Sequence, residues 1–374
     1  MKISDFIDSK FQYNWDFIET VPEFARLKEC EQNPHWHKEG NAWEHTKRVC
    51  LAAQNMLFSE TAKRPSYQKY VFLAAALFHD IGKGTTTKIG KDGNWHSYGH
   101  EFESERITRL LLWDENMFDR EQVCSLVRLH MEPQFLFDKK NYLEKMVEWN
   151  NMTNVDTLIR LKKCDLYGSD QEDEVGKSIE LSKLNTMQKI ASSIDFYSVP
   201  MLNKMPWKYE KMWSDGTPTT VYLMMGISGA GKSTVIPNIA ESESIFDYTI
   251  VSRDRIREEL GYCAQGEKVV LSSEQEDEVT KIFNDKLISA AESGKTIFID
   301  NLNLKRKYRD SYKELLKKFP VKWIYVYVEA PNFEENIVRR EGQVSSDTLK
   351  RMISNIEWPT PEEYDIMRVE ITGK

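Results

Sequence analysis

The chain has 374 residues, 40% of them hydrophobic and 29% charged. That is too long for one small domain, and too apolar for a disordered chain. The net charge of −8 argues against a protein that coats duplex nucleic acid by bulk electrostatics. No run approaches the roughly 18 apolar residues of a membrane helix. The opening MKISDFIDSK lacks the apolar stretch of a secretory signal. Cys30, Cys50, Cys124, Cys164 and Cys263 form no CxxC pair, which fits a reduced cytoplasm.

The first two hundred residues read as mostly helical. Trp43 to Leu57 carries Val49, Ala52, Ala53 and Met56 on one side. Tyr70 to Phe78 is apolar and rich in Ala and Leu, and it stops at Ile81-Gly82. Phe102 to Trp113, Arg120 to Leu129 and Thr157 to Leu166 have similar patterns. A weak hairpin signal surrounds Asp92-Gly93.

All seven histidines lie at or before position 130. His45, the His79-Asp80 pair, His100, His130 and Asp165 sit on or at the ends of these helices. Imidazole and carboxylate together are ligands for Zn, Mn, Ni, Co or Fe. A bridging carboxylate between two metals activates water for phosphoester hydrolysis. His96 is a rival to His100 through HxxxH spacing. His35 and His37 fit no position and read as surface or packing residues.

Near Pro200 the character changes. Pro200, Pro206, Pro218 and Asp215-Gly216 mark a connector. The expected division is an all-α helical bundle over 1–205, a linker over 206–218 and an α/β domain over 219–374. Beyond the connector, strand candidates Thr220 to Met225, Tyr248 to Ser252, Thr296 to Ile299 and Trp323 to Val328 alternate with helical runs. That alternation predicts a parallel sheet with helices on both faces.

Gly226-Ile227-Ser228-Gly229-Ala230-Gly231-Lys232-Ser233, followed by Thr234, fits GxxxxGK[ST] between a strand and a helix. Its backbone N–H groups can cradle the phosphates of ATP or another NTP. Lys232 is expected on the β and γ phosphates, and Ser233 on Mg²⁺. Asp254 follows the next strand and is placed to orient and deprotonate an incoming hydroxyl. The alternative for Asp254 is a helix N-cap. Arg257, one turn later, could hold an acceptor phosphate. Asp300 closes a third strand and could support Mg²⁺ through water. Arg339 and Arg340 precede Gly342 and could close over the transferring group as a lid. Lys305 to Lys322 holds eight basic residues; contact with a nucleic-acid backbone and a solvated helix face are the two readings.

GISGAGKST, SRDRIR, IDNLN and the arginine-bearing lid resemble the polynucleotide 5′-kinase family. The resemblance implies Asp254 as general base, Arg257 on the acceptor's phosphate, and Arg339 or Arg340 as the lid arginine. The order H…HD…H…H…D resembles the HD phosphohydrolase family. It implies His45, His79, Asp80 and Asp165 around one metal, with Asp80 bridging to a second held by His100 and His130. Lys83, in HDxGK, would contact substrate phosphate, and Arg48 is a second candidate for that role. The two modules in this order resemble the bacterial HD-Pnk RNA end-healing enzymes. That implies phosphorylation of 5′-OH ends and removal of 2′,3′-cyclic, 2′- or 3′-phosphate ends. RNA ends are the implied substrate, with DNA ends as an alternative, upstream of an RNA ligase. Competing readings are a small-molecule or nucleoside kinase fused to a nucleotide phosphohydrolase, and a non-catalytic NTP-gated sensor.

Overall fold

The computed structural model describes residues 1–59, 66–193, 218–264, 269–330, 333–339 and 344–372. The chain divides into two compact units, Met1–Leu202 and Asn203–Lys374. The expected linker, save Pro218, lies outside the described residues. Among the described residues, no helix is long and apolar enough to cross a membrane, and all five cysteines are free thiols.

The first unit is a helical bundle. Its main helices are α1 (Ala42–Ser59), α2 (Ser66–Phe78), α3 (His100–Leu111), α4 (Met117–Leu129), α5 (Tyr142–Met152), α6 (Val155–Gly168) and α7 (Glu174–Ser193). From Val71 on, helix α2 is apolar all round, and Leu73, Ala75, Ala76, Leu77 and Phe78 are fully buried. A helix with that pattern sits at the centre of its domain, here packed on α1, α4 and α6. His79-Asp80 follows it directly, so the pair is delivered to the interior. Short N-terminal helices lay Phe6 and Phe24 edge-on against Phe78, at 5.1 and 5.2 Å between ring centroids. The hairpin expected around Gly93 is a two-residue ribbon pairing Lys88–Ile89 with Trp95–His96.

Two glycines set close approaches in this unit. A Cβ on Gly82 would meet the His100 carbonyl and the Ser104 nitrogen, each at 2.5 Å. The turn after Asp80 therefore presses directly on the start of α3. A Cβ on Gly168 would meet Val49 Cγ2 at 2.5 Å. Helices α1 and α6 thus pack at backbone distance, one turn from His45 and Asp165.

The second unit is a five-stranded sheet. Its strands are β1 (Thr219–Met225), β2 (Tyr248–Val251), β3 (Thr296–Asp300), β4 (Val321–Glu329) and β5 (Ile366–Ile371). All neighbours pair parallel, in the order β2-β3-β1-β4-β5. Strand β1 is central and reads as a near-continuous apolar run, as a parallel strand covered on both faces must. The intervening helices are α8 (Lys232–Ser242), α9 (Arg253–Glu259), α10 (Ser273–Glu292), α11 (Arg306–Leu315), α12 (Phe333–Arg339) and α13 (Ser346–Ser354). Strand β5 was not expected from the sequence. It is an edge strand of mixed polarity, held by pairing along the longer β4.

Buried ion clusters brace both units. Glu121 accepts hydrogen bonds from Arg109 Nε and Nη2 and from Arg120 Nε at 2.8–3.1 Å, and all three side chains are buried. Arg309 forks onto Glu363 at 2.7 and 3.1 Å. That corrects the reading of Lys305 to Lys322 as eight available cations, because Arg309 is fully buried. Glu121→Ala removes the carboxylate that joins two buried guanidinium groups, leaving Arg109 with Glu105 alone at 2.7 Å. It should destabilise the first unit by about 3–5 kcal/mol, measured by urea unfolding; a change under about 1 kcal/mol would show that the cluster contributes little.

Candidate functional site

All six sequence-derived ligand residues of the first unit converge. Asp80 is their centre. Its Oδ2 lies 3.2 Å from His79 Nε2 and 3.5 Å from His45 Nε2. Its Oδ1 lies 3.2 Å from His100 Nε2 and 3.7 Å from His130 Nε2. Asp165 Oδ1 completes the first side, 3.0 Å from His45 Nε2 and 3.8 Å from His79 Nε2. One carboxylate therefore faces two imidazole pairs with its two oxygens.

The outward nitrogens explain the ring orientations. His79, His100 and His130 each donate Nδ1–H to the carbonyl three residues back, those of Ala76, Ser97 and Val127, at 2.7–2.9 Å. A carbonyl can only accept, so Nδ1 carries the hydrogen and Nε2 is left to point inward. His100 and His130 Nε2 then stand 3.2 Å apart. Two lone pairs at that distance repel unless a cation or proton lies between them. Burial and the neighbouring His100 and His79 hold His130 well below the usual imidazole range, which keeps it neutral. Asp80 Oδ2 is buried without a hydrogen bond of good geometry, although Lys83 Nζ stands 2.6 Å away as an ion pair. Burial opposes ionisation of Asp80, but His79 and Lys83 outweigh it and hold its carboxyl well below its usual range. Burial opposes a charge on His45 as well, yet Asp165 and Glu39 raise it to about 8. That proton is one a metal would displace. His45-His79-Asp80 and Asp80-His100-His130 could each hold a divalent ion.

Asp80, His100, His130 and Asp165 line a basin of about 860 Å³, together with Lys83, His37 and Lys162. Arg48 is not part of it; it is exposed beside Asp170 on another face. His96 stands apart from the cluster, held by Asp92 at 2.9 Å.

In the second unit the loop from Gly226 to Ser233 joins β1 to α8. Gly226, Gly229 and Gly231 have φ of 146°, 81° and 90°, values that favour glycine. Lys232 Nζ donates to the Gly226 and Ile227 carbonyls at 3.0 and 2.9 Å. Ser233 Oγ donates to Asp300 Oδ2 at 2.6 Å, the hydroxyl–carboxylate pair that suits Mg²⁺. Ser228 and Ala230 are buried, and Thr234 is exposed in the first turn of α8. Arg253 N–H donates to Asn301 Oδ1 at 3.1 Å, tying the start of α9 to the end of β3. Asp254 does not cap α9; that position belongs to Ser252. Asp254 Oδ1 instead accepts from Arg257 Nη1 at 2.8 Å. Arg257 Nε is buried and has no hydrogen-bond partner among the described residues. Arg339 ends α12, but its side chain, like the whole of Arg340, lies outside the described residues.

Comparison with known proteins agrees with this division. Residues 42–158 match the HD domain model, and residues 221–359 match an AAA domain model. An HD domain match is thus followed in the chain by an AAA domain match that contains the phosphate loop. No curated protein matches it. Among solved structures it is similar to a chain of the Pnkp1/Rnl/Hen1 complex, with 18% identity over 36% of this chain and 43% of that one, at a TM-score of 0.30. It is also similar to a sugar kinase from Janibacter sp. HTCC2649, with 21% identity over 41% of this chain and 86% of that one, at a TM-score of 0.30. The chain thus spans less than half the length of its RNA repair neighbour.

Several residues of both sites were not legible in sequence. In the HD domain, Glu39 is fully enclosed. Its Oε1 accepts from His45 Nδ1 at 2.8 Å and from His37 Nδ1 at 2.7 Å, while Oε2 accepts the Asp170 N–H at 2.8 Å. His37, read as surface or packing, belongs to this network, and burial with the Lys83 charge pushes it down to about 4. Lys162 Nζ holds Asp165 Oδ2 at 2.9 Å, and its i,i+3 spacing was the one available signal. In the second unit, Glu276 grips Arg253 and Arg257 at 2.9–3.2 Å. Asn336 of α12 donates to the Ser228 carbonyl at 3.0 Å. Both partners come from distant segments, so no local spacing announces them.

Glu39→Gln replaces one acceptor oxygen with an amide donor that faces N–H groups. It should weaken divalent-metal binding by about 10- to 100-fold, read by calorimetric titration of Mn²⁺ into the metal-depleted chain. Unchanged affinity would remove Glu39 as support for His45.

Proposed function

We propose that the chain is an RNA end-healing enzyme of the cytoplasm, with DNA ends as secondary substrates. The kinase domain transfers the γ-phosphoryl group of ATP or another NTP to a 5′-OH. The HD domain removes 2′,3′-cyclic, 2′- or 3′-phosphates. A strand break with a 5′-OH and a cyclic phosphate becomes ligatable after both steps, which places the chain upstream of an RNA ligase. The observation that carries this reading is the Asp254–Arg257 pair that follows the second strand of the phosphate-loop sheet, in the same chain as an Asp80 whose two oxygens face two imidazole pairs.

In the kinase domain, Asp254 takes the proton of the acceptor hydroxyl as its oxygen attacks the γ-phosphorus and the nucleoside diphosphate leaves. Asp254 is exposed while Asp300 is buried, which suits one to a mobile acceptor and the other to a fixed ion. Arg257 pairs with Asp254, and its spare Nε–H suits an acceptor phosphate oxygen. Lys232 exchanges its loop carbonyls for the β and γ phosphates, and the Arg339 or Arg340 guanidinium closes over them. Ser233 and Asp300 would hold Mg²⁺, which would supply charge neutralisation for the transferring phosphoryl group.

In the HD domain, His45, His79, Asp80 and Asp165 would hold one ion, and Asp80, His100 and His130 a second. The donor set suits Mn, Fe, Co, Ni or Zn. Such a pair would supply a hydroxide nucleophile at neutral pH and a clamp on the phosphoester oxygens. Lys83, between Asp80 and Gln32, is placed to shift toward an incoming phosphate. Glu39 and Lys162 hold His45 and Asp165 in register.

Two substitutions separate the activities. Asp254→Ala should lower 5′-phosphorylation of an oligonucleotide about 10²- to 10⁴-fold while leaving 2′,3′-cyclic ends open to hydrolysis. Asp80→Ala should abolish that hydrolysis and spare the kinase. Equal kinase rates with and without Asp254, or hydrolysis surviving the loss of Asp80, would refute the respective assignment. Transfer to a free nucleoside as efficient as to the oligonucleotide would refute the polynucleotide reading.

A further inference from the structure

The mouth of the HD basin carries large aromatic side chains in the open. Tyr98 is 83% exposed, and Trp36 and Phe135 are each 50% exposed. All three line the same basin as Asp80, His100 and His130. Rings of this size usually bury most of their surface. Here they are held out instead. Tyr98 lies flat on the His96 ring, with centroids 5.0 Å apart and planes within 7°. His96 is in turn fixed by both oxygens of Asp92 at 2.9 Å. Trp36 is braced edge-on by His35 at 4.5 Å, and His35 is paired with Glu172.

The rim is tied to the metal-ligand cluster through the chain. Tyr98 stands two residues before His100, across Gly99 with φ of 75°. Trp36 immediately precedes His37, whose ring packs on His45 with centroids 4.7 Å apart. A ligand whose phosphate reaches Asp80 therefore presents its neighbouring groups to flat apolar faces. The charges around the mouth are mixed: Arg128 and Lys183 are offset by Glu132 and Asp173. Phosphate contacts alone would not hold a strand there. Base stacking is insensitive to that balance and works with any base.

We propose that the mouth of the HD basin is a base-stacking platform for the end of a single-stranded polynucleotide, with Tyr98 and Trp36 receiving nucleobases next to the terminal phosphate. This rests on the end-healing reading and sharpens it. The exposed faces accept unstacked bases, which a duplex terminus does not offer. They also separate a strand end from a small phosphoester, which reaches the floor without touching the rim.

The test compares the full-length, metal-loaded wild-type chain with Tyr98→Ala, Trp36→Ala and Tyr98→Phe. Each is assayed on a single-stranded RNA bearing a 3′-phosphate and on bis(p-nitrophenyl) phosphate. Each alanine variant should lose at least about tenfold more kcat/KM on the RNA than on the small ester, mainly through KM. Tyr98→Phe, which keeps the flat face, should stay near wild type on RNA. Between 50 and 200 mM salt the RNA KM should change by less than about tenfold, against the 10³–10⁵ of a site built on many phosphate contacts. Equal losses on both substrates, failure of Tyr98→Phe to rescue, or a steep salt dependence would overturn the platform. If no RNA end is hydrolysed, the end-healing reading fails by itself. Fluorescence anisotropy with a labelled single-stranded RNA then decides the platform: weaker binding by the alanine variants upholds it, and unchanged binding overturns it.

Discussion

A buried carboxylate needs compensation for its charge, and Asp80 organises the first unit around that need. The residue is 2% exposed, with Lys83 and four imidazoles within 2.6–3.7 Å of its oxygens. A lone carboxylate at such depth would be neutralised or expelled. Its partners arrive from α1, from the starts of α3 and Lys83–Thr86, and from the end of α4. Each helix must therefore end where it does. Gly82 and Gly168 allow close approaches of neighbouring helices, and the apolar α2 carries the pair into the centre. Fold and site are one constraint: moving any of these helices breaks the charge compensation.

Much of this was legible from residues alone. Helices α1, α2 and α6 announced themselves by apolar periodicity, and the order of His and Asp residues named the six that converge. The phosphate loop was legible because its glycines meet a backbone requirement that no other residue meets as well. What stayed hidden has a common cause. Gln32, Glu276 and Asn336 act across 19 residues or more, Glu39 sits in a short irregular segment before α1, and a lone acid or amide carries no period. His37 was misread because its role depends on Glu39. Strand β5 was missed because its burial is set by β4 beside it, not by its own pattern. Arg309 looked like surface charge because its partner, Glu363, lies fifty-four residues away.

The two units manage phosphate in physically different ways. The second unit contains no histidine. Its site is made of loop N–H groups, Lys232, Ser233, Asp300 and the Asp254–Arg257 pair, which suits transfer of a group already activated in an NTP. The first unit gathers imidazoles around a carboxylate, which suits activation of water. The net charge of −8 argues against coating a duplex by bulk electrostatics and fits the proposed engagement of strand ends.

The central claim is that Asp80 bridges two metal ions. Anomalous scattering from crystals grown with Mn²⁺ tests it directly. The account predicts two peaks flanking the Asp80 carboxylate, one among His45, His79 and Asp165 and the other between His100 and His130. A single peak bound without Asp80, or no peak at the cluster at saturating Mn²⁺, would contradict it.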